Sequence, residues 1–296
     1  SGLRYDEVGN IEIAAAQSGD YLGTGTAETA KIRGASGYVG RFVPKRFTVT
    51  ANTPTFANAC TAGAFTYEGQ PFYYGTAPVL SVTAVSAQGG ATQNYTRTGY
   101  FKLVSTLSGR TFANAATGTH PVTVSNTGSP TIAGDTGGTG TATFTLPNGI
   151  SGDAFTYTKG SPGAPFTSSV NASFTVADLT DSDSVCYDAT NDGTCDTFSI
   201  SGMTGANLRY GQLAIENAMG PETAALTVPI YTQYYNGSGW LLNSADSCST
   251  ISTAALDFGA GTPAGAPAAG VLSFAIGSGT STASLTRATA SGGLLG

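Results

Sequence analysis

The chain has 296 residues, and only 10% of them are charged, against roughly 25% in ordinary soluble domains. Its net charge is −6 and its 12 Lys and Arg residues are scattered, so it has no basic patch of the kind that binds nucleic acid. No apolar segment is long enough to span a bilayer, and 40% hydrophobic residues are enough for a packed core, which excludes a wholly disordered chain.

Apolar and polar residues alternate along most of the chain, which predicts β-strands and almost no helix. Typical runs are FTVTAN, PVLSVTAVSA and LTVPIYTQYY, and clusters of Gly, Pro, Asn and Asp separate them at the spacing of β-sandwiches. We therefore predict an all-β protein built of tandem immunoglobulin-like β-sandwich domains.

Residues 1–44 predict an incomplete first domain. The segment YDEVGNIEIAAA has the pattern of a late immunoglobulin-type strand, in which a Tyr near a corner precedes the strand. Such a strand normally follows several others, so these partial strands would leave an unpaired edge that must be covered. Either the chain was cut from a larger protein, or another subunit completes the domain, with the region after Gly270 as a candidate donor.

Residues 45–135 and 136–258 each predict a β-sandwich, joined through the flexible segment SPTIAGDTGGTG. Residues 259–296 consist of the Pro/Gly linker GAGTPAGAPAAG followed by a C-terminal strand.

The second of these sandwiches contains an acidic loop, DSDSVCYDATNDGTCD, at residues 181–196. Its spacing resembles short calcium loops, with Gly193 at the sharp turn and oxygen donors at Asp188, Thr190, Asp192 and Asp196. The loop departs from the EF-hand pattern, because Thr190 occupies the third position and Ser199 replaces the bidentate Glu at the twelfth. Two interpretations stay open, a bound calcium ion or a solvated acidic turn, and no other cofactor is required.

The four cysteines predict two disulfides and an oxidising compartment. Cys186 and Cys195 bracket a loop of about ten residues, whose closure would contribute roughly 2.5–3 kcal/mol. Cys60 and Cys248 then pair by elimination.

One hairpin carries several aromatic residues. The segment YYNGSGWLL contains Asn-Gly, which accepts the positive φ angles of a tight hairpin turn. Tyr234, Tyr235 and Trp240 flank that turn and could stack on sugar rings, although packing within the hairpin explains them better.

No motif predicts an enzyme. His120 is the only histidine, it precedes Pro121, and no nucleophile motif accompanies it. A single His also excludes ordinary zinc catalysis, and the glycine-rich DTGGTG lacks the Lys-Ser/Thr ending of a phosphate-binding loop.

Several stretches resemble a known bacterial family. They are YDEVGNIEIAA, GYVGRFVPKRF, FTYEGQPF, VCYDATNDGTCD and NLRYGQLAIENAMGPETAALTVPIYTQYYNGSGWLLNSADSC, and their order is similar to that in the C-terminal region of the MSHA biogenesis protein MshQ family. The resemblance implies a secreted, cell-surface or pilus-associated protein of Gram-negative bacteria, linked to a type IV pilus used in attachment. It implies no catalytic residues. The acidic loop of relatives is often richer in Asp, and Thr190 and Asn191 depart from that pattern.

Two functional hypotheses follow. The first is an extracellular structural subunit, whose partners are copies of itself or pilus components and which assembles into a fibre by β-strand complementation. The second is a pilus-associated adhesin module that binds glycans or surfaces.

Overall fold

The computed structural model describes residues 4–20, 22–23, 25–27, 31–115, 120–125, 128–134, 138–221, 224, 226–252, 273–275 and 278–285. These residues form strands connected by loops and short 3-10 turns, which confirms the all-β prediction. Within this part of the chain, no helix is long and apolar enough to cross a membrane.

The strands follow one another in chain order, with 3-10 turns at Gln93–Thr96, Gly149–Ser151 and Ala177–Leu179. The first seven are β1 (Gly9–Ala16), β2 (Arg33–Phe42), β3 (Arg46–Ala51), β4 (Thr55–Phe56), β5 (Thr66–Tyr67), β6 (Tyr74–Thr76) and β7 (Val79–Val85). The next seven are β8 (Thr111–Asn114), β9 (Val122–Ser125), β10 (Thr131–Gly134), β11 (Thr141–Thr145), β12 (Ala154–Tyr157), β13 (Phe166–Phe174) and β14 (Phe198–Arg209). The last six are β15 (Gly211–Ile215), β16 (Leu226–Tyr235), β17 (Trp240–Leu242), β18 (Thr250–Ser252), β19 (Ser273–Ala275) and β20 (Thr280–Leu285).

Two sheets share one hydrophobic core and form the main body. The first sheet has the order β10–β11–β7–β3, and the second has the order β6–β4–β14–β13–β8 with β5 beside β14. In β7, Leu80, Val82 and Ala84 are buried and alternate with more exposed residues. In β13, Val170 and Ala172 alternate in the same way. This period of two is typical of strands that turn one face to a core.

Aromatic rings occupy the centre of that core. The ring centroid of Phe56 lies 4.7 Å from that of Phe155 and 5.2 Å from that of Phe72, and Tyr74 stacks on Phe56 at 5.6 Å. Aromatic pairs at such distances contribute about 0.5–1.5 kcal/mol each beyond the area they bury. Because Phe56 and Phe155 lie almost a hundred positions apart, the core holds distant parts of the chain together.

The strand pairing crosses the domain boundary that we expected between residues 135 and 136. β11 pairs with β7 from Thr141 opposite Thr83 to Thr145 opposite Val79, and β13 pairs with β8 in the other sheet. The boundary itself falls on residues 135–137, which lie outside the described residues. Strands from both sides of the expected boundary therefore belong to one sandwich. The boundary was predicted from local composition, which does not reveal pairing between strands that are distant in sequence.

A buried ion pair lies at one edge of the core. The Arg110 guanidinium donates to the Asp153 carboxylate at 2.6 Å and also to the carbonyl oxygens of Leu107 and Gly128. The Tyr74 hydroxyl donates to the second oxygen of Asp153 at 2.9 Å, and burial together with this carboxylate raises the pKa of Tyr74. These additional bonds offset the cost of removing the two charges from water.

A separate sheet follows the sandwich, with β16 between β15 on one side and β17 and β20 on the other. β20 is antiparallel to β16, from Leu226 opposite Leu285 to Tyr231 opposite Thr280. β20 lies in the region after Gly270 that we considered as a donor to another subunit, and it is paired in its own chain. The linker residues 259–270 lie outside the described residues.

Candidate functional site

Both disulfides predicted from the sequence are present. Cys186 is bonded to Cys195, nine positions away, and Cys60 is bonded to Cys248 across 188 positions. All four cysteines of the sequence are therefore paired. Paired cysteines of this kind are typical of proteins that fold in an oxidising compartment.

The acidic loop closes on itself through backbone N–H groups. Asp188 is only 2% exposed, and its carboxylate accepts hydrogen bonds from the backbone nitrogens of Asn191, Asp192 and Gly193. Asp196 accepts one from the backbone nitrogen of Ala189 at 2.8 Å. These two candidate calcium ligands therefore accept hydrogen bonds that close the turn.

The other two candidate calcium ligands, Thr190 and Asp192, are exposed. Asp192 accepts a hydrogen bond from the backbone nitrogen of Thr194 at 2.7 Å, and this bond is the main reason that the pKa of Asp192 lies below its ordinary value. Among the residues that the structure describes, no three His, Cys, Asp or Glu side chains are grouped to hold a metal ion. The geometry favours the acidic turn, and a bound calcium ion stays open as the alternative.

The same loop is fastened to the sandwich at its start. Asp181 accepts hydrogen bonds from the backbone nitrogens of Asp183 and Val185 and, at 2.7 Å, from the buried hydroxyl of Tyr95. The backbone nitrogen of Phe47 in β3 donates to the carbonyl oxygen of Cys186 at 2.7 Å. The acidic loop therefore extends the sandwich beside β3.

The β1–β2 hairpin is the most exposed structure in the described part of the chain. β1 and β2 pair only with each other there, and nearly all their residues are exposed. Ile11 lies opposite Val39, and Glu12 lies opposite Tyr38, which is 86% exposed. The hairpin thus presents apolar side chains and two unpaired edges to solvent.

Polar contacts hold the base of this hairpin against the sandwich. The Glu7 carboxylate accepts hydrogen bonds from the backbone nitrogens of Gln93 and Asn94, both at 2.9 Å. Val8 is buried, and an ion pair joins Arg41 of β2 to Asp183 of the acidic loop. The hairpin base is therefore fixed while its far end extends beyond the core.

The aromatic residues predicted to bind sugars divide between two faces of β16. Tyr235 and Trp240 lie opposite each other with ring centroids 5.6 Å apart, and Tyr210 lies 5.9 Å from Trp240. The Tyr234 ring instead faces the Arg209 guanidinium at 4.7 Å, because neighbouring residues of a strand point to opposite faces. Tyr210, which directly precedes β15, was not among the residues predicted from the sequence.

Lys159 extends this aromatic group. Its ammonium lies 4.7 Å from the Tyr210 ring and donates to the carbonyl oxygen of Gly211 at 2.7 Å. Tyr210, Tyr235 and Trp240, with Lys159 beside them, form what we call the aromatic face.

A buried polar cluster joins the sandwich to the following sheet. The Tyr67 hydroxyl donates to the Asp246 carboxylate at 2.9 Å and accepts from the Asn243 side chain at 2.5 Å. Arg209 donates to Asn243, and its guanidinium lies between the rings of Phe65 and Tyr234. We call this cluster, together with the Cys60–Cys248 bond, the junction.

The pKa values of two buried groups of the junction are shifted in opposite directions. Burial raises the pKa of Tyr67 to about 12. Burial also opposes ionisation of Asp246, but hydrogen bonds from Ser249, Cys248 and Tyr67 outweigh it and hold the pKa of Asp246 below its ordinary value. Tyr67 is therefore a neutral donor to an ionised carboxylate at neutral pH.

The single histidine also lies in a buried pair that the sequence did not reveal. His120 Nδ1 lies 3.2 Å from a carboxylate oxygen of Glu68, and the imidazole stacks on Phe166 at 5.4 Å. Burial raises the pKa of Glu68, while the nearby His120 and the backbone N–H of Gly160 oppose this shift. The imidazole of His120 contacts Phe166 of β13 and Glu68, which follows β5, so His120 contributes to the packing between these strands.

We expect Asp188→Ala to lower the free energy of unfolding by about 1–3 kcal/mol, because it removes the buried carboxylate that accepts from three backbone N–H groups of the loop. Asp192→Ala, at an exposed position of the same loop, is the control and should lose less. Chemical denaturation measures both. Calcium added after chelation should leave the Tm unchanged, and a calcium-dependent rise in Tm that Asp188→Ala abolishes would establish the metal site instead.

We expect Tyr67→Phe to lower the free energy of unfolding by about 1–3 kcal/mol at neutral pH, because buried Asp246 loses a donor. A phenol whose folded pKa is raised stabilises the fold fully below its unfolded pKa of about 10 and loses that contribution as pH rises through about 12. Stability should therefore fall between these values, less steeply in Tyr67→Phe. The exposed Tyr38→Phe is the control, and equal alkaline slopes in the two variants would refute this account of Tyr67.

Comparison with known proteins assigns the chain by sequence. The family model described as DUF6701, third domain, matches residues 7–202, and the one described as DUF6701, fourth domain, matches residues 209–295. No curated protein and no solved structure matches the chain. The junction lies where the two matched segments meet, and together they cover most of the sequence. The chain belongs to the DUF6701 family and contains its third and fourth domains.

Proposed function

We propose that this chain is a non-enzymatic extracellular structural protein, a subunit of a cell-surface or pilus-associated fibre assembled by β-strand complementation. The observation that carries the proposal is the β1–β2 hairpin, which has no further strand beside it in the described part of the chain. A two-stranded hairpin is marginally stable alone, and unpaired edges are templates for pairing with another chain. A neighbouring strand would supply hydrogen-bond partners for the unpaired edge, and it would also cover the apolar side chains.

The partner we propose is a second copy of the chain. β20 of that copy is already paired with β16, so it is not the strand that meets the hairpin. Among the described residues, the hairpin has the longest exposed strand edge. We therefore propose that the hairpin of the second copy supplies the pairing strand. Small residues line a shallow cleft of about 420 Å³ on the hairpin, which lets another backbone approach closely. The small residues are Ala14, Ala15, Ala16, Gly34 and Ala35, and Arg33 completes the lining.

Composition supports the proposed location and the absence of catalysis. Two disulfides and a surface poor in charges fit an extracellular protein. His120 stacks on Phe166, and no nucleophile motif accompanies it in the sequence, which supports a non-enzymatic role. The sequence resemblance to the MshQ C-terminal region supports a pilus-associated setting in Gram-negative bacteria.

Ile13→Glu should prevent assembly, because it places a charge on the exposed hairpin where a neighbouring chain would pack. Sedimentation velocity and negative-stain electron microscopy over a range of concentrations measure this. Val104→Glu, at an exposed position outside the hairpin, is the control and should assemble like the unmodified protein. Unmodified protein that stays monomeric at every concentration would contradict assembly from copies of the chain.

A second candidate function is a pilus-associated adhesin module that binds glycans, and the aromatic face favours it. The ring centroid of Trp240 lies 5.6 Å from that of Tyr235 and 5.9 Å from that of Tyr210, and aromatic rings of this kind bind the apolar faces of sugars.

Trp240→Ala should abolish retention on a glycan array if this function holds, because it removes the central ring of the aromatic face. Met219→Ala, which changes an apolar side chain that is 98% exposed, is the control. Circular dichroism checks that both variants are folded. An array on which the unmodified protein binds no glycan would eliminate this candidate.

A further inference from the structure

The Cys60–Cys248 disulfide directly connects two parts of the chain that are far apart in sequence. Cys60 follows β4 near the start of the sandwich, and Cys248 follows β17 near the end of the next sheet. The bond spans 188 positions, so it encloses every strand from β5 to β17. Cys186–Cys195 lies inside this loop and does not alter the path between the ends.

We infer that this disulfide is a load path, which carries tension between the ends of the chain past most of its residues. Force that enters before β1 and leaves after β20 runs along residues 1–60, through the sulfur–sulfur bond, and along residues 248–296. Residues 61–247 lie in a closed covalent loop and cannot be extended by that force. The inference rests on the proposed extracellular structural role and concerns tension applied at the two ends of the chain, not tension applied at the hairpin edges.

The junction gives this load path a rigid support. The two chain segments approach so closely that a Cβ on Gly63 would lie 2.2 Å from the carbonyl oxygen of Ala245, so only glycine fits there. Tyr67 from the first segment bonds Asn243 and Asp246 from the second, and Asn243 and Asp246 are fully buried. Tension at Cys60 and Cys248 is therefore applied to a packed cluster that spans both family domains.

Strand pairs flank the load path on each side. β3 lies before Cys60 and pairs with β7 from Arg46 opposite Val85 to Ala51 opposite Leu80. β20 lies after Cys248 and pairs with β16. In both pairs one strand lies inside the closed loop and the other lies outside it. Tension can therefore separate these strands, and the disulfide then limits any further extension.

Single-molecule force spectroscopy tests the inference on the 296-residue chain held at its two ends. An extended chain spans about 3.5 Å per residue, so the closed loop hides roughly 650 Å of extension. We expect the oxidised protein to extend by roughly that much less than a Cys60→Ser, Cys248→Ser double variant. The Cys186→Ser, Cys195→Ser double variant, which lacks only the internal bond, should keep the short extension.

The unmodified protein also provides a test that needs no variant to fold. A thiol reductant added to an oxidised molecule that is already stretched should produce one large step of roughly 650 Å, when the Cys60–Cys248 bond is cleaved. Oxidised molecules that extend over the full chain length without reductant, or that show no such step with it, would overturn the load path. Both readouts come from single chains, so they stand or fall separately from the assembly test on Ile13→Glu.

Discussion

The pairing of the central strand β14 is the interaction on which the rest of the structure depends. β14 is antiparallel to β13 along most of its length and parallel to β4 and β5 on its other side. Its buried residues, among them Met203, Ala206 and Leu208, join the aromatic core. Only Tyr210 separates β14 from β15, so the strand that organises the sandwich also sets where the following sheet begins. The two matched family segments are therefore coupled through backbone hydrogen bonds as well as through the junction.

The junction extends that coupling with covalent and electrostatic contacts. Arg209, the last residue of β14, lies between the rings of Phe65 and Tyr234 and donates to Asn243. Buried polar clusters of this kind stabilise a structure only when each group has a partner, and here the carboxylate of Asp246 receives several donors. These contacts link the sandwich to the following sheet in a chain with few charges.

The sequence predicted those features that depend on local pattern. Strand alternation and turn residues were enough for the all-β class, and the short loop between Cys186 and Cys195 was enough for its disulfide, which left one partner for Cys60. The strand pairing across residues 135–136 could not be predicted, because pairing between distant segments is decided by the shared core. The role of Asp188 could not be predicted either, because the same Asp-rich spacing serves a bound cation or a turn closed by its own N–H groups. The separation of Tyr234 from Tyr235 was accessible, since strand periodicity places neighbours on opposite faces.

In the proposed assembly, another chain pairs with the exposed edges of β1 and β2. Amide hydrogen exchange compares the hairpin directly between dilute protein and the assembled material. The account predicts fast exchange at the outward-facing amides of residues 9–16 and 33–42 in dilute protein and strong protection in the assembly, while the amides of β7 and β13 are protected in both. Assembled material in which the hairpin amides exchange as fast as in dilute protein would contradict strand complementation at this site.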